Sequence, residues 1–353
     1  MRRIIVKGIA ASFAGMLLMA CSGCGGGGGS SSTPTANAPL VAQSAPSLNV
    51  ISVESNPVMT VGAAGSWDSD DVLNPSVIEW NGKLLDYYSG FDGNKWSTGL
   101  ATSTDGGLTW TKSPIPLIVP TVYPASVDPY FAIAANGGAV LFNGTIYNYY
   151  SEQQPDRSGL LRLATSTDGV SFAPTSTYFG FGSAGSFDDA GAADAYLTVA
   201  NGTMYMYYEG LNSTTKKQTT GVATSTDGKT WTRYKSAVIP QGAQNDFDEG
   251  AQGEPAVVYT GKFWYMLIVG TRNDGSRSIG WASSTDGLHW TLQAQSILTP
   301  DQVKPWFDKS MIDPTILPTG KNDGTYYVWF GGGSGAGNQK IAGQIGRMTI
   351  KLD

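Results

Sequence analysis

Apolar and polar residues alternate in short runs along this chain, and the runs are punctuated by Asn-Gly and Asp-Gly steps. In the first block Asn74-Pro75-Ser76-Val77-Ile78 reads as an inner strand and Lys83 to Ser89 as a second, with Asn81-Gly82 as the turn between them. Thr98 to Thr102 gives a third strand and Thr109 to Lys112 a fourth. Period-two alternation bounded by such turns is the pattern of β-hairpins, because Asn-Gly accepts the two positive φ angles of a tight turn between twisted strands. No long amphipathic helical pattern interrupts it.

The block recurs. Trp67-Asp68, Val127-Asp128, Phe187-Asp188, Phe247-Asp248 and Phe307-Asp308 stand 60 residues apart, and each opens a similar set of strands. Four of the blocks close on a Ser-Thr-Asp-Gly turn followed by an aromatic residue, ending at Trp110, Phe172, Trp231 and Trp290. A fixed period filled with strand patterns implies stacked copies of one supersecondary unit. The expectation is an all-β chain, a five-bladed β-propeller with four antiparallel strands per blade and a repeat of about 60 residues. The fifth block lacks the closing turn. Leu48 to Met59 resembles a fourth strand and is expected to complete that blade, with Arg347 to Lys351 competing for the place.

The first 47 residues have another character. Arg2, Arg3 and Lys7 precede an apolar run from Ile9 to Leu18, too short to span a membrane and suited to a signal peptide over residues 1–20. Leu18-Met19-Ala20-Cys21 resembles a bacterial lipobox, which predicts lipidation of Cys21. Residues 21–47 read as a Gly/Ser/Pro-rich tether, and 48–353 as the propeller. The expected location is the bacterial cell envelope, with the protein lipid-anchored at the outer membrane on its periplasmic or surface side.

Composition narrows the chemistry. The two cysteines, Cys21 and Cys24, both precede the propeller, so neither a disulfide nor a cysteine nucleophile belongs to it. Without the three signal cations, the 22 basic residues fall to 19 against 28 acidic ones. That balance opposes nucleic acid and anionic membrane surfaces, so the membrane is met only through the lipid anchor. Ten tryptophans and 17 tyrosines offer aromatic surface to sugars, and a monomer that binds carbohydrate is expected. The single histidine, His289, sits in the turn between the third and fourth strands, on the far face from where inner strands begin. Ser-His-Asp catalysis and histidine-ligated zinc are disfavoured, and carboxylates remain.

At the inner-strand starts the repeat aligns Asn74, Asn136, Asp194, Glu254 and Asp313 around one axis. A lone acid at a strand start ordinarily caps backbone N–H groups. Three on neighbouring blades raise one another's pKa, as acid catalysis requires. The acids at the openings, among them Asp68, Asp188 and Asp248, occur in every copy and read as structural. The Ser-Thr-Asp-Gly turns invite a sialidase reading, but such turns are scaffold wherever they occur.

The whole repeat region resembles the five-bladed propeller superfamily of glycoside hydrolases that includes families 43, 32 and 130, with family 43 the best fit. The resemblance rests on Gly253-Glu254-Pro255-Ala256-Val257 with Gly261-Lys262-Phe263-Trp264-Tyr265, on Asp194, and on the Asp313-Pro314 step. It implies Glu254 as the acid and Asp194 as the modulating carboxylate. Asn74-Pro75 stands where families 43 and 32 carry an Asp-Pro base, so Asp313, or Asp71 beside Asp70, is expected to replace it. Asn74, Asn136, Glu209 and Arg272 are expected sugar contacts. No cofactor is implied, and a structural Ca2+ in the pore is left open. The function that follows is a glycosidase acting on an arabinan-, xylan- or fructan-like glycan. The alternative is a carbohydrate-binding propeller without turnover.

Overall fold

The computed structural model describes residues 45–122, 132–153, 159–239, 242–244, 246–303, 306–307, 310–333 and 342–353. The signal segment and the tether up to residue 44, with Cys21, lie outside these residues, as do Asp128 and Asp308. Blade 1 comprises β2 (Asp71–Trp80), β3 (Lys83–Phe91), β4 (Lys95–Ser103) and β5 (Thr111–Lys112). Blade 2 comprises β6 (Ala132–Phe142), β7 (Thr145–Gln153), β8 (Gly159–Ser166) and β9 (Ala173–Phe179). Blade 3 follows with β10 (Gly191–Ala200), β11 (Thr203–Leu211), β12 (Gln218–Ser225) and β13 (Thr232–Arg233). Blade 4 has β14 (Ala251–Tyr259), β15 (Trp264–Thr271), β16 (Arg277–Ser284) and β17 (Trp290–Leu292). Blade 5 is built from β18 (Ser310–Pro318), β19 (Thr325–Gly333) and β20 (Gln344–Leu352), and β1 (Leu48–Val53) pairs antiparallel with β20 as its outer strand. Arg347 to Lys351 lies within β20, the third strand. The inner strands β2, β6, β10, β14 and β18 pack side by side around the axis, and β18 meets β2 to close the ring.

The Asn-Gly turns take the positive φ values that tight hairpins need: 50° and 73° at Asn81-Gly82, 49° and 76° at Asn143-Gly144, 51° and 74° at Asn201-Gly202. The opening aromatics explain several glycines of the second and third strands. A Cβ on Gly90 or Gly99 would lie within 2.2 Å of the Trp67 ring, and one on Gly270 or Gly280 within 2.3 Å of Phe247. Blade 2 carries Glu152 and Arg162 at the two matching positions, and they fill the space with an ion pair at 2.9 Å.

The described opening acids, Asp68, Asp188 and Asp248, are buried in the blades. Asp68 accepts from the Tyr88 hydroxyl at 2.9 Å and Lys112 Nζ at 2.7 Å, and Asp188 from the Tyr208 hydroxyl at 2.8 Å and Arg233 at 2.5 Å. Asp248 accepts from the Gly242 N–H at 3.0 Å.

The closing turns lock blade to blade. In each, the serine hydroxyl bonds the aspartate and accepts the glycine N–H, as at Ser225, Asp227 and Gly228 (2.9 and 2.8 Å). The glycine carbonyl, or the one beside it, then accepts from an aromatic side chain of a neighbouring blade. Tyr87 donates to Gly169, Tyr149 to Gly228 and Tyr207 to Gly287, each at 2.9 Å, and Trp329 Nε1 donates to Gly107 at 3.1 Å. These turns therefore hold the ring together. Blade 5 has none, and there Tyr265 of blade 4 reaches the Asp353 carbonyl instead.

Candidate active site

Each inner strand carries an irregularity at the same level. In blades 1, 3, 4 and 5 two residues face one on the second strand: Asn74-Pro75, Asp194-Ala195, Glu254-Pro255 and Asp313-Pro314. A bulge re-aims a side chain. Here Asn74, Asp194, Glu254 and Asp313 adopt φ of 50°, 45°, 51° and 50°. Left-handed backbone costs a non-glycine residue roughly 1 kcal/mol. Four residues held this way around one axis mark where strain is tolerated for placement.

Blade 2 departs. Its ladder continues to Asn136, and Gly137 is the residue out of register. A Cβ on Gly137 would sit 2.4 Å from the Tyr149 carbonyl oxygen, so this backbone comes too close to bear a side chain. Asn136, expected as a sugar contact, is buried instead between blades. Its Nδ2 donates to the Asn74 and Tyr87 carbonyls at 2.8 and 2.9 Å, and its Oδ1 accepts from Asn148. That places it in the scaffold.

Asn74, Pro75, Gly137, Asp194, Ala195, Tyr196, Glu254, Pro255, Asp313 and Pro314 line the axial opening, which encloses about 20 Å³. That space is close to what one water needs. Its floor is Tyr196, whose hydroxyl crosses from blade 3 to the Ile316 carbonyl of blade 5 at 3.1 Å. The equivalent positions in the other blades are Ser76, Gly138, Ala256 and Thr315, so a single large residue stoppers the axis. That one bulky member among four small ones was the available signal for it.

Glu254 is held at both oxygens. Oε1 is paired with the Arg277 guanidinium, and Oε2 accepts the Asp313 N–H at 3.0 Å. Arg277, the first residue of β16, went unrecognised in the sequence because its position varies freely among the blades: Trp96, Gly159 and Gln218 are its counterparts. Arg272, the arginine expected there, is exposed in the preceding turn, and the site is served by the one five residues later. Asp71 is also displaced from its expected role. It is buried, and its Oδ1 accepts the Gly343 N–H at 2.5 Å, which ties blade 1 to blade 5.

The carboxyls share one electrostatic field. Burial, and next the charge of Glu254, push Asp194 up to about 7 against the pull of Arg277. Asp313 is held well above the ordinary carboxyl range by burial and then by Glu254 and Asp194. Glu209, reaching in from β11, is raised well above that range by burial, then Asp194, then Glu254, with Arg277 and Gln218 opposing. Burial and one another's charge disfavour ionising the whole group at once, so one carboxyl can hold a proton while another lacks it, which is what proton-transfer chemistry needs. Among the described residues no group of three or more His, Cys, Asp or Glu is placed to hold a metal ion.

The fold thus gathers Asn74, Asp194, Glu254 and Asp313 at the mouth of one axial opening. Residues 137–312 match the N-terminal domain of glycosyl hydrolases family 32. A glycosyl hydrolase from Bacteroides ovatus is similar in structure, with a TM-score of 0.62 at 16% identity over 84% of this chain and 91% of that one. A structure from the family 130 mannoside phosphorylases, described as containing glycoside hydrolases that target β-1,2 mannosidic linkages in Candida mannan, has a TM-score of 0.64. Its identity is 16%, over 88% of this chain and 95% of that one. A β-1,2-mannobiose phosphorylase from Listeria innocua has a TM-score of 0.63 at 14% identity, over 86% and 96%. A comparison with curated proteins found no match by sequence. The fold is one that this chain shares with these hydrolases and phosphorylases of glycans.

Proposed function

We propose that this protein is a glycosidase that transfers an O-glycosyl group of a glycan to water, using carboxyls of the axial site, and that it works at the bacterial cell envelope through a lipid on Cys21. The observation that carries the reading is the cluster itself: Asp194, Glu209, Glu254 and Asp313 share one site with Arg277. Paired carboxyls, one giving a proton and one taking it from water, are the equipment of glycoside hydrolysis. Asp194 and Asp313 line a cavity of one-water size, and neither side chain makes a hydrogen bond among the described residues, so they are the groups that activate water there.

Water is favoured over phosphate as the acceptor on charge. Phosphorolysis needs cations to hold a dianion, and in the described site Arg277 is already paired with Glu254 amid three further acids. The expected substrates are arabinan-, xylan- or fructan-like glycans, joined by β-1,2-mannosides because two of the structural relatives are described as acting on them. A second reading, carbohydrate binding without turnover, is favoured by Asn74, an amide where a base is expected.

Purified protein should release reducing sugar from at least one of these glycans without phosphate, and added phosphate should yield no sugar phosphate. Binding at the axial face without product from any glycan would establish the second reading. Mass spectrometry of the mature N-terminus should find a diacylglyceryl group on Cys21, and Cys21→Ala should release the protein from membranes. An unmodified N-terminus would remove the anchor.

A further inference from the structure

Glu209 and Gly253 belong together, although they lie in different blades. Glu209 occupies the second-strand position that is Ser89, Ser151, Val269 and Gly331 elsewhere, so only blade 3 places an acid there. Gly253 occupies the inner-strand position that is Leu73, Ala135, Ala193 and Ile312 in the other blades. A Cβ on Gly253 would stand 2.1 Å from Glu209 Oε2. The missing methyl is therefore the room into which the Glu209 carboxyl fits, beside Glu254. No positive φ is recorded for Gly253, and alanine is native at two equivalent positions, so the backbone itself does not require glycine.

The carboxyl so admitted is nine-tenths buried and anchored by one oxygen. Gln218 Nε2 donates to Oε1 at 2.5 Å, and Oε2 makes no hydrogen bond among the described residues. Glu254 differs in this respect, since donors already occupy both of its oxygens. Asp194 and Asp313 line the cavity in which a water fits, and Glu209 lies outside that lining.

Resting on the hydrolase reading above, we infer that Glu209 is the proton donor of the reaction, admitted to the site by Gly253, and that Glu254 serves instead as the partner of Arg277. As the glycosidic C–O bond breaks, its electron pair goes to the leaving oxygen, which takes the proton from Glu209 Oε2. A water oxygen bonds to the anomeric carbon, and the proton it loses goes to the carboxylate of Asp194 or Asp313. Exchange with solvent then returns a proton to Glu209. Burial and the neighbouring charges that raise the Glu209 pKa keep it protonated for this step.

General acids matter most when the leaving group is poor. Glu209→Gln should lower turnover of an unactivated glycan by about 10² to 10³, leave an aryl glycoside with an acidic phenol within about tenfold of wild type, and erase the alkaline limb of the pH profile. Gly253→Ala should reproduce that pattern with an unchanged Tm, which keeps the test valid if Glu209→Gln fails to fold. Equal losses on both substrates, no loss on either, or the same leaving-group signature in Glu254→Gln would overturn the assignment while the hydrolase reading stands. A wild-type protein that cleaves neither substrate overturns both.

Discussion

The two sides of the ring share a backbone and differ in what they offer the axis. Blades 1 and 2 present an amide and a bare glycine, Asn74 and Gly137. Blades 3, 4 and 5 present Asp194, Glu254 and Asp313, with Glu209 and Arg277 behind them. The bulges and left-handed φ at Asn74, Asp194, Glu254 and Asp313 show that the scaffold aims a side chain at the axis whether or not it is reactive. Placement is therefore a property of the repeat, and chemistry is a property of departures from it. Concentrating the acids on one side also makes their protons interdependent, which an even spread around the ring would not do.

The largest expected effect comes from making the acidic side resemble the amide side. Asp194→Asn should lower turnover by about 10² to 10³. It should also stabilise the protein at neutral pH. The folded pKa of Asp194 is raised from 3.8 to about 7, so its favourable contribution is complete below about pH 4 and is lost as pH rises through about 7. The variant's Tm should match wild type near pH 4 and exceed it by a few degrees at pH 8. A Tm deficit that is the same at both pH values would make Asp194 structural.

Arg277→Met removes the cation that holds Glu254. Leaving a buried carboxylate unpaired should cost about 3 kcal/mol in urea unfolding at pH 7, and turnover should fall by roughly 10-fold or more. Unchanged stability would mean that the Asp313 N–H alone suffices to hold Glu254.

Asn74→Asp extends the cluster to the amide side. A further acid facing Asp194 and Asp313 disfavours their ionisation, so the acid limb of the pH–rate profile should move up by about half a unit or more. Tm should fall at pH 8 but not at pH 4. A rise in turnover would show that blade 1 lacks a base the reaction can use.

The smallest effect tests the symmetry of the scaffold. Tyr87→Phe in blade 1 and Tyr207→Phe in blade 3 each delete a 2.9 Å hydrogen bond to a closing-turn carbonyl of the next blade. Each should cost about 1 kcal/mol, equally on the two sides, with turnover per folded molecule unchanged. A loss of turnover from Tyr207→Phe alone would show that the acidic side depends on this lock in a way the other does not.

What the amino-acid sequence determined by itself was whatever is local and repeated. Asn81-Gly82, the 60-residue spacing of the opening pairs and the Ser-Thr-Asp-Gly turns dictate hairpins and their number, because turn geometry and strand alternation involve neighbours in the chain. The same register brought Asn74, Asp194, Glu254 and Asp313 to one level, and each is found there. Tertiary structure decided what lies between blades. Asn136 turns away because the ladder of blade 2 continues one residue further, and Asp71 is claimed by Gly343, 272 residues distant. Arg277 rather than Arg272 meets Glu254 because the first residue of β16, unlike the turn before it, is packed beside the inner strands. Glu209 and Gly253 fit each other only once blades 3 and 4 are side by side. Contacts between repeats depend on rigid packing across the whole ring, and a single chain's spacing carries no record of which side chain yields room to which.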